Sequence, residues 1–157
     1  MCWWYRVAKS RVRIKKTPAK AISIIDKIAK NLAGPSSVKV GLPKGSNNYP
    51  DGTSLIMVGV VHEFGSPRMG IPQRSYLRST LTGNRAKYKA VLKKLGTGIG
   101  TGKLKPVDGL KILGVMLESD VRSKIDEIKT PPLKNREGNP LRLTGHLIQS
   151  ITHIVGD

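Results

Sequence analysis

Apolar and polar positions along this chain alternate between two periods. Val7, Val12 and Ile14 stand among arginines and lysines between Trp3 and Ile14, a pattern that predicts a strand with one solvated basic face. Thr17-Pro18 then offers a hydroxyl N-cap followed by proline at the first helical position. Ala21, Ile22, Ile25, Ile28, Ala29 and Leu32 recur at helical spacing until Gly34-Pro35 stops the run. Val38, Val40 and Leu42 alternate again, and Pro43 ends that strand. Residues 54–64 fit either period. A helix is favoured, because Thr53 or Ser54 can cap it and Gly65 can end it. Tyr76, Leu77, Leu81, Tyr88, Val91, Leu92 and Leu95 mark a helix over 75–95, which Gly83 bends or breaks. Leu110, Leu113, Met116 or Leu117, Val121, Ile125 and Ile128 mark a long amphipathic helix ended by Pro131-Pro132. A short helix capped by Thr144 and a final strand over 151–155 close the chain.

These elements predict an α+β fold in a single domain, residues 1–157. A small mixed or antiparallel sheet packs with three to four helices, one of them long and amphipathic. The basic strand segment covers 1–16, and flexible loops are expected at 43–53, rich in turn formers, and at 96–105. A chain of 157 residues buries about 70% of its unfolded surface, enough for one core. With aromatics at 4%, that core rests on Ile, Leu, Val and Ala.

Charge changes the picture most. Lys and Arg number 28 against 10 acids, a net charge of +18. That balance favours an acidic partner, nucleic acid first. Residues 1–50 carry eleven basic side chains and one acid, Asp26. Arg6, Lys9, Arg11, Arg13, Lys15 and Lys16 are the candidate contacts to DNA or to a channel lumen. Trp3, Trp4 and Tyr5 either stack on bases or pack against a neighbouring helix or subunit, and packing is favoured. Cys2 is the only cysteine, so no internal disulfide is expected, in keeping with a reducing cytoplasm. No signal peptide or membrane span is expected, since the longest apolar run, about Leu55 to Val61, is too short to cross a bilayer.

The sequence carries no recognisable catalytic constellation. His62-Glu63 opens a zinc-protease pattern, but Ser66 stands where the second histidine belongs. Gly96 to Lys103 has the look of a phosphate loop, yet Thr97 and Leu104 occupy positions that need a glycine and a hydroxyl. Cys2 has no implied partner, and Ser150, though close in sequence to His153, has no orienting group beside it. Neither an enzyme nor a cofactor or metal site is expected.

Three segments carry a resemblance. They are Glu63-Phe64-Gly65, then Ile71-Pro72-Gln73-Arg74-Ser75-Tyr76-Leu77-Arg78, then Thr144-Gly145-His146-Leu147 with Ser150-Ile151. In this order, with Val38 to Leu42 and Tyr49-Pro50-Asp51-Gly52-Thr53 ahead of them, they resemble the tail-completion family of tailed bacteriophages, which includes minor tail protein Z-like and neck proteins. The likeness spans about residues 36–155. Tyr76 stands where phenylalanine is usual, and the Trp-rich start lies outside the pattern. The resemblance implies a virion structural protein, made in the host cytoplasm and placed in the neck at the head–tail junction. Copies would form a ring, expected to be a hexamer, between a tail-tube or tail-terminator protein and a head-closure or connector protein, with nonspecific contact to genomic DNA. Glu63, Phe64, Gly65, Ile71, Pro72, Arg74, Tyr76, Leu77, Arg78, Thr144, Gly145, Leu147 and Ser150 would serve the fold or an interface. In this reading Glu63 pairs with Arg74 or Arg78, Phe64 packs under the Gly65 turn, and Arg74 and Arg78 are the foremost interface residues. The alternatives are a tail terminator or tail-assembly factor, and a basic nucleic-acid-binding protein with no virion role.

Overall fold

The computed structural model describes residues 19–46, 48–132, 138–141 and 144–156. The expected strand over 3–14, the Thr17-Pro18 helix start and the six candidate DNA-contacting residues from Arg6 to Lys16 lie outside the described residues. The fold is α+β. Its elements are α1 (Ala19–Leu32), β1 (Ser37–Gly41), α2 (Leu55–Phe64), α3 (Leu77–Gly83), α4 (Arg85–Gly100), α5 (Pro106–Glu127), α6 (His146–Gln149) and β2 (Thr152–Gly156), with one 3₁₀ turn at Pro67–Met69.

The long helix α5 is the spine. Pro106 opens it at a position where a missing N–H costs nothing. Leu113, Leu117, Val121 and Ile125 fall one turn apart and are buried. The last two join Leu55, Tyr76, Leu141, Leu147 and Ile151 in the larger core cluster, and the first two join Tyr88 in the smaller one. β1 and β2 pair antiparallel, Val38 opposite Val155 and Val40 opposite His153. Two strands alone are marginally stable in water. Here Val38 and Val40 pack against the Tyr88, Leu113 and Leu117 cluster, while Lys39 and Ile154 face solvent. The sheet can lie close on α5 because Gly114 has no side chain. A Cβ there would collide with the His153 ring, with Cγ only 2.7 Å away. His153 Nδ1 then sits 2.7 Å from Glu118, which also pairs with Arg122 at 2.6 Å. Arg122 in turn donates to the Ile151 carbonyl at 2.8 Å.

The helix expected over 75–95 breaks after Gly83, where a break is expected: the Asn84 amide caps the end of α3 and α4 begins at Arg85. One expectation is corrected. The glycine-rich stretch 96–105 is helical as far as Gly100. Three glycines cost about 1 kcal/mol each against alanine in a helix, so tertiary contacts must outweigh them. Leu95 joins the smaller core cluster, Ile99 and Leu104 crowd against Gly109 of α5, and Asn31 of α1 donates to the Gly100 carbonyl at 3.2 Å. Gly102, at φ +76, then turns the chain toward α5.

The 43–53 segment is irregular, as its turn residues predict, and it is pinned. Tyr49 N donates to the Thr53 carbonyl at 2.9 Å, and Asp51 accepts from Thr53 N at 2.9 Å. The Tyr49 ring stacks on His146, centroids 5.4 Å apart. The last helix is shorter than expected. It covers only His146–Gln149, with Gly145 in the left-handed region at φ 76 as its N-cap. The Thr144 hydroxyl accepts from His146 N at 3.4 Å.

Helix α1 departs furthest from expectation. Its apolar stripe is present, yet none of its residues is buried. Ile22, Ile25 and Leu32 are each half exposed or more.

Candidate functional site

The residues that carry the family resemblance converge at the end of α2. Ser54 caps that helix through Met57 N, and Gly65 ends it at φ 76, a backbone state that favours glycine. A Cβ on Gly65 would lie 2.9 Å from Gln73 N. The chain then makes a short excursion through the Pro67–Met69 turn, closed by the Ser66–Ile71 bridge. Ile71 is half-buried and Pro72 exposed. Arg74 N donates to the His62 carbonyl at 2.8 Å, which brings Ser75 to Arg78 over the Glu63 side chain.

Glu63 is 3% exposed and fully engaged. Its Oε1 accepts from Ser75 Oγ at 2.6 Å, Arg78 N at 3.1 Å and Arg78 Nε at 2.9 Å. Its Oε2 accepts from Tyr76 N at 2.8 Å and Leu77 N at 2.9 Å. These backbone donors are the free amides of the first turn of α3, where a negative charge is favoured. A carboxylate thirteen to fifteen residues upstream thus does the work of a local cap. Burial alone would raise its pKa. The Ser75, Leu77 and Arg78 hydrogen bonds outweigh that and hold it below the ordinary value.

Of the two expected partners, Arg78 is the one that pairs with Glu63. Its guanidinium also lies 4.4 Å from the Phe64 ring centroid. Arg74 instead turns inward. It is 4% exposed and donates to the carbonyls of Pro131 at 2.9 Å and Pro132 at 3.1 Å. A buried guanidinium needs such acceptors, so within the chain Arg74 tethers the segment after α5. Phe64 does not pack under the Gly65 turn. It is 60% exposed. Burial, then the Arg74 charge, lower the pKa of His62, whose Nδ1 has no partner among the described residues.

Tyr76, Leu147 and Ile151 meet in the main core, with Leu77 packed at its border. The Tyr76 hydroxyl reaches the Gly59 carbonyl at 3.4 Å, which gives the tyrosine in place of phenylalanine a partner. Ser150 ends α6, its N–H donating to the His146 carbonyl at 3.0 Å. The sequence carries no distinct sign of the role of Gly59. A Cβ there would meet Leu42 and would stand 2.9 Å from the Tyr76 hydroxyl. The available signal was a glycine inside an otherwise apolar helix. Leu42, Ile56, Val60, Phe64 and Leu77 border a shallow apolar groove beside it.

His146 and His153 fall on α6 and β2, and no group of metal-binding side chains forms among the described residues. No helix among them is long and apolar enough to cross a membrane. Scans of protein-family models, of curated proteins and of solved structures return no match to this chain.

Proposed function

We propose that this chain is a structural virion protein of a tailed bacteriophage, a tail-completion protein that joins tail to head within the neck. Copies assemble side by side as a ring, hexameric in this reading, between a tail-tube or terminator protein and a head-closure or connector protein. The observation that carries the proposal is the surplus of uncovered apolar surface. Fifteen large hydrophobic side chains are exposed among the described residues, against ten that form the core. Nine of them lie on two helices, Ile22, Ile24, Ile25, Ile28 and Leu32 on α1 and Ile56, Met57, Val60 and Phe64 on α2. Scattered exposed hydrophobics are normal, but stripes of this kind mark association surfaces. Two different faces on one chain suit heterologous contact, which closes into rings. The Glu63 cap supports the reading by fixing the angle between α2 and α3, and with it the α2 face.

The test is electron microscopy of lysates from a phage with an early stop codon in this gene. Filled heads beside separate tails of normal length are expected. Overlong or absent tails would move the protein to tail termination or assembly. Intact infectious particles would overturn the structural role and favour the alternative of a DNA-binding protein with no place in the virion.

A further inference from the structure

We infer that the outer face of α4 is a binding surface for the phosphate backbone of double-stranded DNA. Between Arg85 and Lys111 the chain carries eight basic residues and one acid, Asp108. Within α4 itself there are five cations and no acid. Among the described residues, Lys87 alone of these is paired, with Asp120 at 2.7 Å. Arg85, Lys89, Lys93 and Lys94 are exposed and form no ion pair among the described residues. The acids that might have balanced them are engaged elsewhere. Glu63 is bound to α3, Glu118 to Arg122 and His153, and Glu127 to Lys124.

Geometry favours a phosphate strand over an acidic protein. Arg85, Lys89 and Lys93 follow at i, i+4 and i+8, so their Cα atoms rise about 6 Å per step along one side of a straight rod. Phosphates of one DNA strand advance about 3.4 Å per nucleotide along the duplex axis, so each step spans about two of them. Ala86, Ala90 and Thr97 are exposed beside the cations, and Leu92, 48% exposed, is the one large apolar side chain exposed on α4. A protein partner would call for a cluster of large apolar or aromatic anchors at the centre of the patch, where lysine is depleted; here a single leucine, Leu92, stands among five cations. The one aromatic of α4, Tyr88, is buried against α5 and donates to Asp120 at 3.0 Å. With no exposed ring to stack on bases, and no amide side chain on this face to read them, the surface takes duplex backbone without regard to sequence.

The proposal rests on described residues of α4 alone, and it does not depend on the neck reading. A DNA-binding protein outside the virion would use it equally. The test is fluorescence anisotropy of the full chain with a short DNA duplex across a salt titration. The triple variant Arg85→Gln, Lys89→Gln, Lys93→Gln is compared with Lys39→Gln, Lys44→Gln, Arg68→Gln, which removes the same charge elsewhere. The α4 variant is expected to lose about 2.7 from the slope of log K against log salt, about 0.9 for each phosphate contact. The control should lose less than a third of that. Circular dichroism confirms that each variant keeps its helices, and alanine at the same three positions replaces any set that does not. Equal losses in both variants would overturn the assignment of this face, as would a wild-type chain that fails to bind duplex at about 50 mM salt. Wild-type affinity for polyglutamate equal to that for DNA would give the face to an acidic protein instead.

Discussion

A single carboxylate holds the centre of the resemblance together. Glu63 accepts from three backbone amides, a serine hydroxyl and an arginine, so its neighbours are unsatisfied without it. Glu63→Gln keeps the shape but loses the charge and turns an amide NH₂ toward donors. A loss of about 3 kcal/mol is expected, in the range for breaking a buried charged contact. The pH dependence identifies the cause. The folded pKa lies below the ordinary 4.5, so this stabilisation is complete above that value and disappears as pH falls through the folded pKa. Urea midpoints of wild type and variant should therefore differ most at neutral pH and converge well below 4.5. A gap that stays constant into strong acid would mean that packing, not charge, is responsible. From the sequence, Glu63 was visible as an ion-pair partner, and Arg78 proved to be that partner. Its main task as a cap for α3 was hidden, because a cap supplied from fourteen residues away leaves no local pattern.

The elements show where periodicity suffices and where packing overrides it. Leu113, Leu117, Val121 and Ile125 betray α5 because a helix buried along one side must repeat every turn. The alternation of Val38 and Val40 betrays β1 for the same reason. Gly96 to Gly100 misled, because glycine lowers local propensity while the contacts of Leu95, Ile99 and Asn31 that hold the helix are distant in sequence. Two alanine substitutions separate these effects. A Cβ on Gly96 meets nothing within 4 Å, so Gly96→Ala should stabilise the fold by about 0.5–1 kcal/mol. A flexible linker at this position would show no gain. Gly114→Ala has the same intrinsic advantage, but its methyl must displace the His153 ring, and overpacking costs about 1–3 kcal/mol. The steric term wins, and Gly114→Ala should melt below wild type in a thermal scan. A rise in its melting temperature would show that the sheet is not seated on α5 at this closeness.

At the scale of the whole molecule, two opposed forces act between copies. Apolar stripes on α1 and α2 favour association, and covering the five exposed side chains of α1 contributes about 5 kcal/mol if each regains roughly half of its transfer energy. A net charge of +18 repels neighbouring copies, and the repulsion reaches about 10 Å at 0.1 M salt. Added salt screens the repulsion while leaving the apolar term intact, so self-association should strengthen with salt. DNA binding, driven by counterion release, should weaken over the same range. Sedimentation velocity and anisotropy on one preparation measure both. The α1 stripe is tested by Ile22→Ser with Ile25→Ser. Because no α1 side chain is buried, the monomer should lose little stability, about 0.5 kcal/mol per site as at ordinary surface positions. The assembled species should disappear at protein concentrations where wild type is fully associated. Unchanged assembly would place the contact between copies on another face. A collapse of the monomer fold would mean that α1 is held more tightly than its exposure indicates.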